Sequence, residues 1–324
     1  MDSKFGRSLS SALFTFIVGQ GRKEITVHSA PLADLSPTLD SLMNGGMLEA
    51  KLRQADWSEV VEEDTFVRLC EYAYRGDYKP PRCVDRGATL DNPDANAESE
   101  EPARGHLTSA AKKKSKKGRV KRNHIRDDIP APQPVEDAAA DSIEEPAAAE
   151  PEPVPEEEEP YDSFNGHILP YREKSIWSRH LKDRFENLNQ LYANAYNSAL
   201  PLQKVEFAPK GNSDPQEDFA PVFLGHAKLY ILADTYNIPS LAALVLQKLA
   251  ITLGDFKLSE DNISNVIELV QFAYQHTRAD DALRTLATTY VVSVLGQIGE
   301  ISAFRELLAE GGDFVHDFWQ SVWG

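Results

Sequence analysis

The sequence predicts a mostly helical α/β fold, in which one domain is split by a long stretch that does not fold and is followed by a helical extension. Three observations predict it. Two β-rich runs separated by a Gly-containing loop lie at residues 14–28. The stretch 219–252 reads as two strongly apolar helices that cannot stand alone. Between these blocks, residues 81–160 are rich in Pro, Ala, Glu and Asp and poor in aromatics. Such a composition cannot bury enough apolar surface to offset an ordering cost of roughly 1–2 kcal/mol per residue, and is read as disordered.

Taken in order, Phe14, Phe16 and Val18 share one face of the first run and Ile25 and Val27 pair up in the second, so the two form a hairpin. Ser29 to Leu35 makes a short helix. Ser36 then serves as N-cap and Pro37 as first helical residue of another, lined by Leu39, Leu42 and Met43 and stopped at Asn44-Gly45-Gly46. A short strand is expected around Ala50–Ala55. Glu63 or Asp64 opens a helix with Phe66, Leu69, Cys70, Ala73 and Tyr74 at i, i+3, i+4, i+7 and i+8, ended by Gly76-Asp77. After the disordered stretch, residues 161–218 are partly helical, with Trp177, Leu181, Phe185, Leu188 and Leu191 predicting a helix over about 175–197.

The closing block carries Phe223, Ala227, Tyr230 and Ile231 on its first helix. Asn237 and Pro239 make the turn, and Leu241, Leu244, Val245, Lys248 and Leu249 lie on one side of the second. Residues 253–324 add further helices: Ile263 to Tyr274, Leu283 to Leu295, Ile301 to Leu308, and a last segment with Phe314, Phe318, Trp319, Val322 and Trp323.

Charge and motifs narrow the function. The 324 residues carry a formal charge of −17. An acidic folded part argues against direct nucleic-acid binding, which needs Lys and Arg on the phosphates. Residues 127–160 hold thirteen Asp or Glu and no base, whereas 112–126 hold nine Lys or Arg and no acid. Two cysteines, no signal peptide and no apolar run of membrane-spanning length point to a reduced intracellular protein, in nucleus or cytoplasm, with no membrane partner. The eight histidines show no ligand spacing, His28 being read as making a local hydrogen bond and Cys70 as a core thiol. No nucleophile-elbow, phosphate-loop or zinc-protease motif is present, so neither an enzyme nor a cofactor is expected. Lys112, Lys113, Lys114, Lys116, Lys117, Arg119, Lys121 and Arg122 read as a nuclear-import signal or as a block that pairs with the acidic tract after it.

The runs Phe14-Thr15-Phe16-Ile17-Val18-Gly19, Glu24-Ile25-Thr26-Val27-His28-Ser29, Ser36-Pro37-Thr38-Leu39-Asp40 and Asn44-Gly45-Gly46-Met47-Leu48-Glu49-Ala50 together resemble the opening of a BTB/POZ domain. Asp64 to Tyr78 is similar to its third helix, and His226 to Asp234 with Ile238-Pro239-Ser240-Leu241 to its closing hairpin. The likeness is to the type abundant in filamentous fungi. It spans residues 14–80 and 219–252, with about 140 residues between the blocks where the family has a short loop.

The resemblance implies a protein–protein interaction module, a scaffold or adaptor that recruits a cullin-type ubiquitin ligase. The alternative is a nuclear, chromatin-associated regulator assembled through its BTB domain without a cullin. Met47, Leu48 and Glu49 match the hydrophobic-x-Glu pattern that some members present to the cullin, or else form a solvated loop. A homodimer stays open, although the N-terminal arm that many members use for it is reduced to about 13 residues here.

Overall fold

The computed structural model describes residues 4–85, 168–169, 176–199 and 207–323. These form a mostly helical α/β fold with one three-stranded and one two-stranded sheet. A first helix, α1 (Lys4–Ser10), precedes the hairpin of β1 (Leu13–Val18) and β2 (Lys23–His28). Its register runs from Leu13 opposite His28 to Val18 opposite Lys23. Phe14, Phe16 and Val18 are fully buried, as their alternation requires.

Next come α2 (Ser29–Ala33), α3 (Pro37–Asn44), α4 (Leu48–Leu52) and β3 (Gln54–Trp57). β3 lies parallel to β1, giving the strand order β2-β1-β3. At the start of α3 the Ser36 hydroxyl accepts the Leu39 N–H at 3.2 Å and Pro37 occupies the first turn. The strand expected at 50–55 is displaced. Residues 48–52 are helical, Arg53 turns the chain at φ +56°, and pairing begins only at Gln54. The amphipathic helix α5 (Glu63–Arg75) buries Phe66, Leu69 and Ala73 and ends at Gly76 with φ +74°, a conformation that favours glycine.

The closing hairpin consists of α7 (Ala220–Thr235) and α8 (Pro239–Gly254). Asn237 bridges them at φ +52°, and Pro239 sits in the first turn of α8. α7 is apolar around most of its circumference because α5, α8 and α9 (Ile263–His276) all pack against it. The residue 14–80 block and this hairpin share one core. The Trp57 ring lies 4.6 Å from Phe16 and 4.5 Å from Tyr236, and the Tyr72 hydroxyl donates to Ser240 at 2.9 Å.

Two features of the intervening region could not be read from composition. Val84–Asp85 (β4) pairs antiparallel with Glu217–Asp218 (β5), so ordered chain continues past residue 81. The helix α6 (Ile176–Ala199) packs along α8 and α10 (Ala282–Ser293), with Leu181 and Phe185 buried and Leu191 exposed. It therefore joins the closing hairpin to the C-terminal extension.

That extension continues through α11 (Leu295–Ile298), α12 (Ser302–Glu310) and α13 (Asp313–Trp323). The single helix expected over 283–295 instead breaks at Val294. Arg284, 5% exposed, knits these helices together. It donates to the Tyr274 carbonyl at 3.0 Å, to Thr277 Oγ1 at 3.0 Å and to Asp313 at 3.1 Å. The expected disordered stretch, beyond residue 85, lies outside the described residues.

The described chain on either side of that stretch, β4 before it and α6 after it, belongs to the same folded unit, which gives a first prediction. Loop closure costs only about 0.6 kcal/mol per doubling of length. Replacing residues 86–160 with a short Gly/Ser linker should therefore leave the thermal midpoint unchanged or slightly raised. A large drop in a melting experiment would show that the replaced residues pack on the core.

Candidate functional site

Two places gather chemistry: an exposed turn at residues 47–53 and a buried ionic cluster beneath α8. The turn begins where α3 stops. Gly45 is extended there (φ −78°, ψ −163°), so its positive-φ freedom is not what matters. A Cβ at this position would lie 2.2 Å from the Ser41 carbonyl oxygen, and only glycine fits. Met47 then caps α4 without a side-chain bond, and Ala50 turns inward.

Arg53 holds the far end in a left-handed conformation that costs a non-Gly residue about 1–2 kcal/mol. Its guanidinium compensates by bonding the Leu13 carbonyl at 3.2 Å and the Met43 carbonyl at 3.0 Å. Anchored in this way, α4 presents Met47, Leu48 and Leu52 outward at 61%, 66% and 63% exposure. Leu13, also exposed, starts the strand to which Arg53 is bonded. Isolated surface apolar groups are ordinary, but three on one short helix form a patch of the kind interaction sites use.

The structure thus places Met47 and Leu48 on the surface, with Met47 as the last residue of the expected loop and N-cap of α4, and Leu48 opening that short helix rather than continuing the loop. Glu49 lies in the same turn, half-buried. The candidate import residues, Lys112 to Lys114, Lys116, Lys117, Arg119, Lys121 and Arg122, lie outside the described residues.

Sequence reasoning missed the second cluster. The Lys248 ammonium is fully buried and donates to the Tyr78 carbonyl at 2.6 Å and the Phe207 carbonyl at 3.0 Å, while Asp77 Oδ1 lies 2.5 Å away. The Tyr78 ring stands 4.3 Å from it. Burial pulls the Lys248 pKa below its ordinary value, and Asp77 opposes that shift. Next to it the Tyr78 hydroxyl meets His226 Nδ1 at 2.7 Å. His226 is sealed from solvent, and burial together with the Lys248 and Arg68 charges depresses its pKa to about 3. The cluster pins together the end of the first block, the segment after α6 and the closing hairpin. Its sealed geometry suits cohesion, since no substrate could reach these groups without opening the core.

His28 makes a hydrogen bond, but not a local one: its backbone N–H and its Nδ1 meet the hydroxyl of Tyr74, 46 residues on, at 2.9 and 3.1 Å. Cys70 is a half-buried thiol that burial pushes up to about 12, so it is protonated and a poor nucleophile. Among the described residues, no cluster of His, Cys, Asp or Glu is placed to hold a metal ion. None of their helices is long and apolar enough to cross a membrane.

No family model, curated protein or solved structure matches the chain.

Proposed function

We propose that this chain is a protein–protein interaction module of BTB/POZ type, an adaptor that docks a cullin scaffold through the α4 turn and assembles rather than catalyses. One observation carries the reading. Met47, Leu48 and Leu52 stand more than half exposed on a turn that Arg53 locks to β1 and α3. An exposed apolar surface held rigid loses little further entropy on binding, which favours it as an interface anchor.

The test is a titration of the purified chain against the cullin N-terminal region. Truncating an anchor in an interface centre typically costs about 2 kcal/mol or more, whereas a rim charge costs less than about 1. Met47→Ala should therefore weaken binding by about thirtyfold and Glu49→Ala by less than about fivefold. Met47 is 61% exposed, so its truncation should leave stability almost unchanged. No binding by the wild-type chain would remove the cullin from the proposal. Binding indifferent to Met47→Ala would remove the turn.

A further inference from the structure

A concavity of about 440 Å³ opens between the loop before α5 and the ends of α7 and α9, within the size range of small-molecule sites. Val61 and Leu232, both buried, form its floor, and Tyr236 and Phe272 supply ring walls. Both rings are held by neighbours. Tyr236 packs 4.5 Å from Trp57, and Phe272 stacks on His276 at 4.2 Å with the planes 20° apart. Rings fixed in this way lose little further freedom when a flat molecule lies against them.

The polar groups of the lining set the chemistry. Thr65, in the first turn of α5, is only 4% exposed, and its hydroxyl has no hydrogen-bond partner among the described residues. It is not one of their sealed, unbonded polar atoms, so the little surface it keeps faces the cavity space it lines. A desolvated hydroxyl without a partner is uncommon in a folded chain, and a ligand that bonded it would satisfy it. Thr65 shares the wall toward the neighbouring groove with Glu62 and Lys228. These two are paired with each other at 2.6 Å, so the wall offers no spare charge and an entering ion would be desolvated without a counter-ion. At the mouth, His276 donates its Nδ1–H to the Phe272 carbonyl at 2.9 Å, which leaves Nε2 of the neutral ring as an acceptor.

A protein partner would need contiguous apolar surface around the concavity. Its mouth is bounded instead by Glu62, Lys228, Thr235 and His276, and Val60 is the one fully exposed apolar residue of the lining. We propose that this concavity binds a small, neutral, flat aromatic molecule bearing a hydroxyl, with its ring against Tyr236 and Phe272 and its hydroxyl on Thr65. The site is separate from the α4 turn, and its test stands whatever docks there.

Ligand-observed NMR titrations of the full chain with 2-naphthol, naphthalene and 2-naphthoate test the site. 2-Naphthol should bind saturably, about fivefold tighter than naphthalene, the factor expected of one neutral hydrogen bond, and tighter still than the charged 2-naphthoate. Thr65→Val removes the hydroxyl and keeps a branched side chain of similar size. It should cost 2-naphthol about fivefold and leave naphthalene within about twofold, a split that general loosening of the core would not produce. Thr235→Trp places bulk at the mouth from an exposed position, so it stays folded and should weaken both neutral probes about tenfold. No saturable binding, a preference for 2-naphthoate, equal affinity for 2-naphthol and naphthalene, or indifference of 2-naphthol to Thr235→Trp would overturn the proposal.

Discussion

Replacing Asp77 with Ala is expected to lower the unfolding free energy by about 3–5 kcal/mol, as is typical when a buried ion pair loses one member. The Lys248 ammonium has three N–H donors and three acceptors, the carbonyls of Tyr78 and Phe207 and the Asp77 carboxylate. The carbonyls can satisfy hydrogen bonds but cannot neutralise the charge. Without Asp77 the amine is driven to shed its proton, and its pKa falls further below the ordinary 10.5. A folded pKa below the unfolded one means that the unfolded chain binds the extra proton. The penalty is then full at neutral pH and shrinks as pH rises toward 10.5. Urea titrations at about pH 7 and about pH 9.5 should resolve this trend.

The double variant Asp77→Ala/Lys248→Met removes both charges at once. It should be more stable than the sum of the single losses predicts, by about 2 kcal/mol, since contacting charged residues couple by about 0.5–3 kcal/mol. Additive losses would mean that Asp77 and Lys248 do not act as a pair, and would leave the pinning of three chain segments without its central bond.

What the sequence revealed and what it hid differ by range. Ser36-Pro37, Asn237 and Pro239 were legible because each obeys a rule of its own backbone: a hydroxyl cap, a tolerated left-handed turn, a fixed φ. Lys248 was visible at the right place, on the side of the second helix shared with Leu241, Leu244, Val245 and Leu249. A lysine in that row signals a buried charge needing a counter-ion. Nothing local names the counter-ion, because it is Asp77, next to Tyr78, whose carbonyl the ammonium bonds from 170 residues away in the chain.

The α4 turn shows the opposite case. Met47 and Leu48 were legible as candidate partner residues, but a helix of five residues is too short to display a period. Its end depends on Arg53, whose left-handed backbone is sustained by carbonyls of Leu13 and Met43 rather than by any turn residue in the sequence. That dependence is also why the strand expected at 50–55 moved to 54–57.

Acid should expose the second half of the buried cluster. His226 has a folded pKa of about 3 against an ordinary 6.5, so between these values the unfolded chain takes up a proton that the folded chain refuses. Stability contributed by the neutral ring is complete above about pH 6.5 and is lost as pH falls, at about 1.4 kcal/mol per unit, amounting to about 5 kcal/mol across the window. The cause is structural. Nδ1 is occupied by the Tyr78 hydroxyl, Nε2 has no acceptor, and Lys248 and Arg68 supply positive charge nearby. A charged ring would thus hold an unbonded N–H in a dry, positive site. His226→Gln keeps a polar partner for Tyr78 and cannot titrate. Unfolding free energies measured by urea titration from about pH 7 to about pH 4 should fall more steeply for the wild type than for the variant. Carboxylates elsewhere titrate in both chains and cancel in the difference. The separation between the two curves should therefore narrow by about 3 kcal/mol over that range, and reads directly as the proton linkage of one ring. Parallel curves would mean that His226 is solvated or has an acceptor at Nε2, and that the cluster is not sealed.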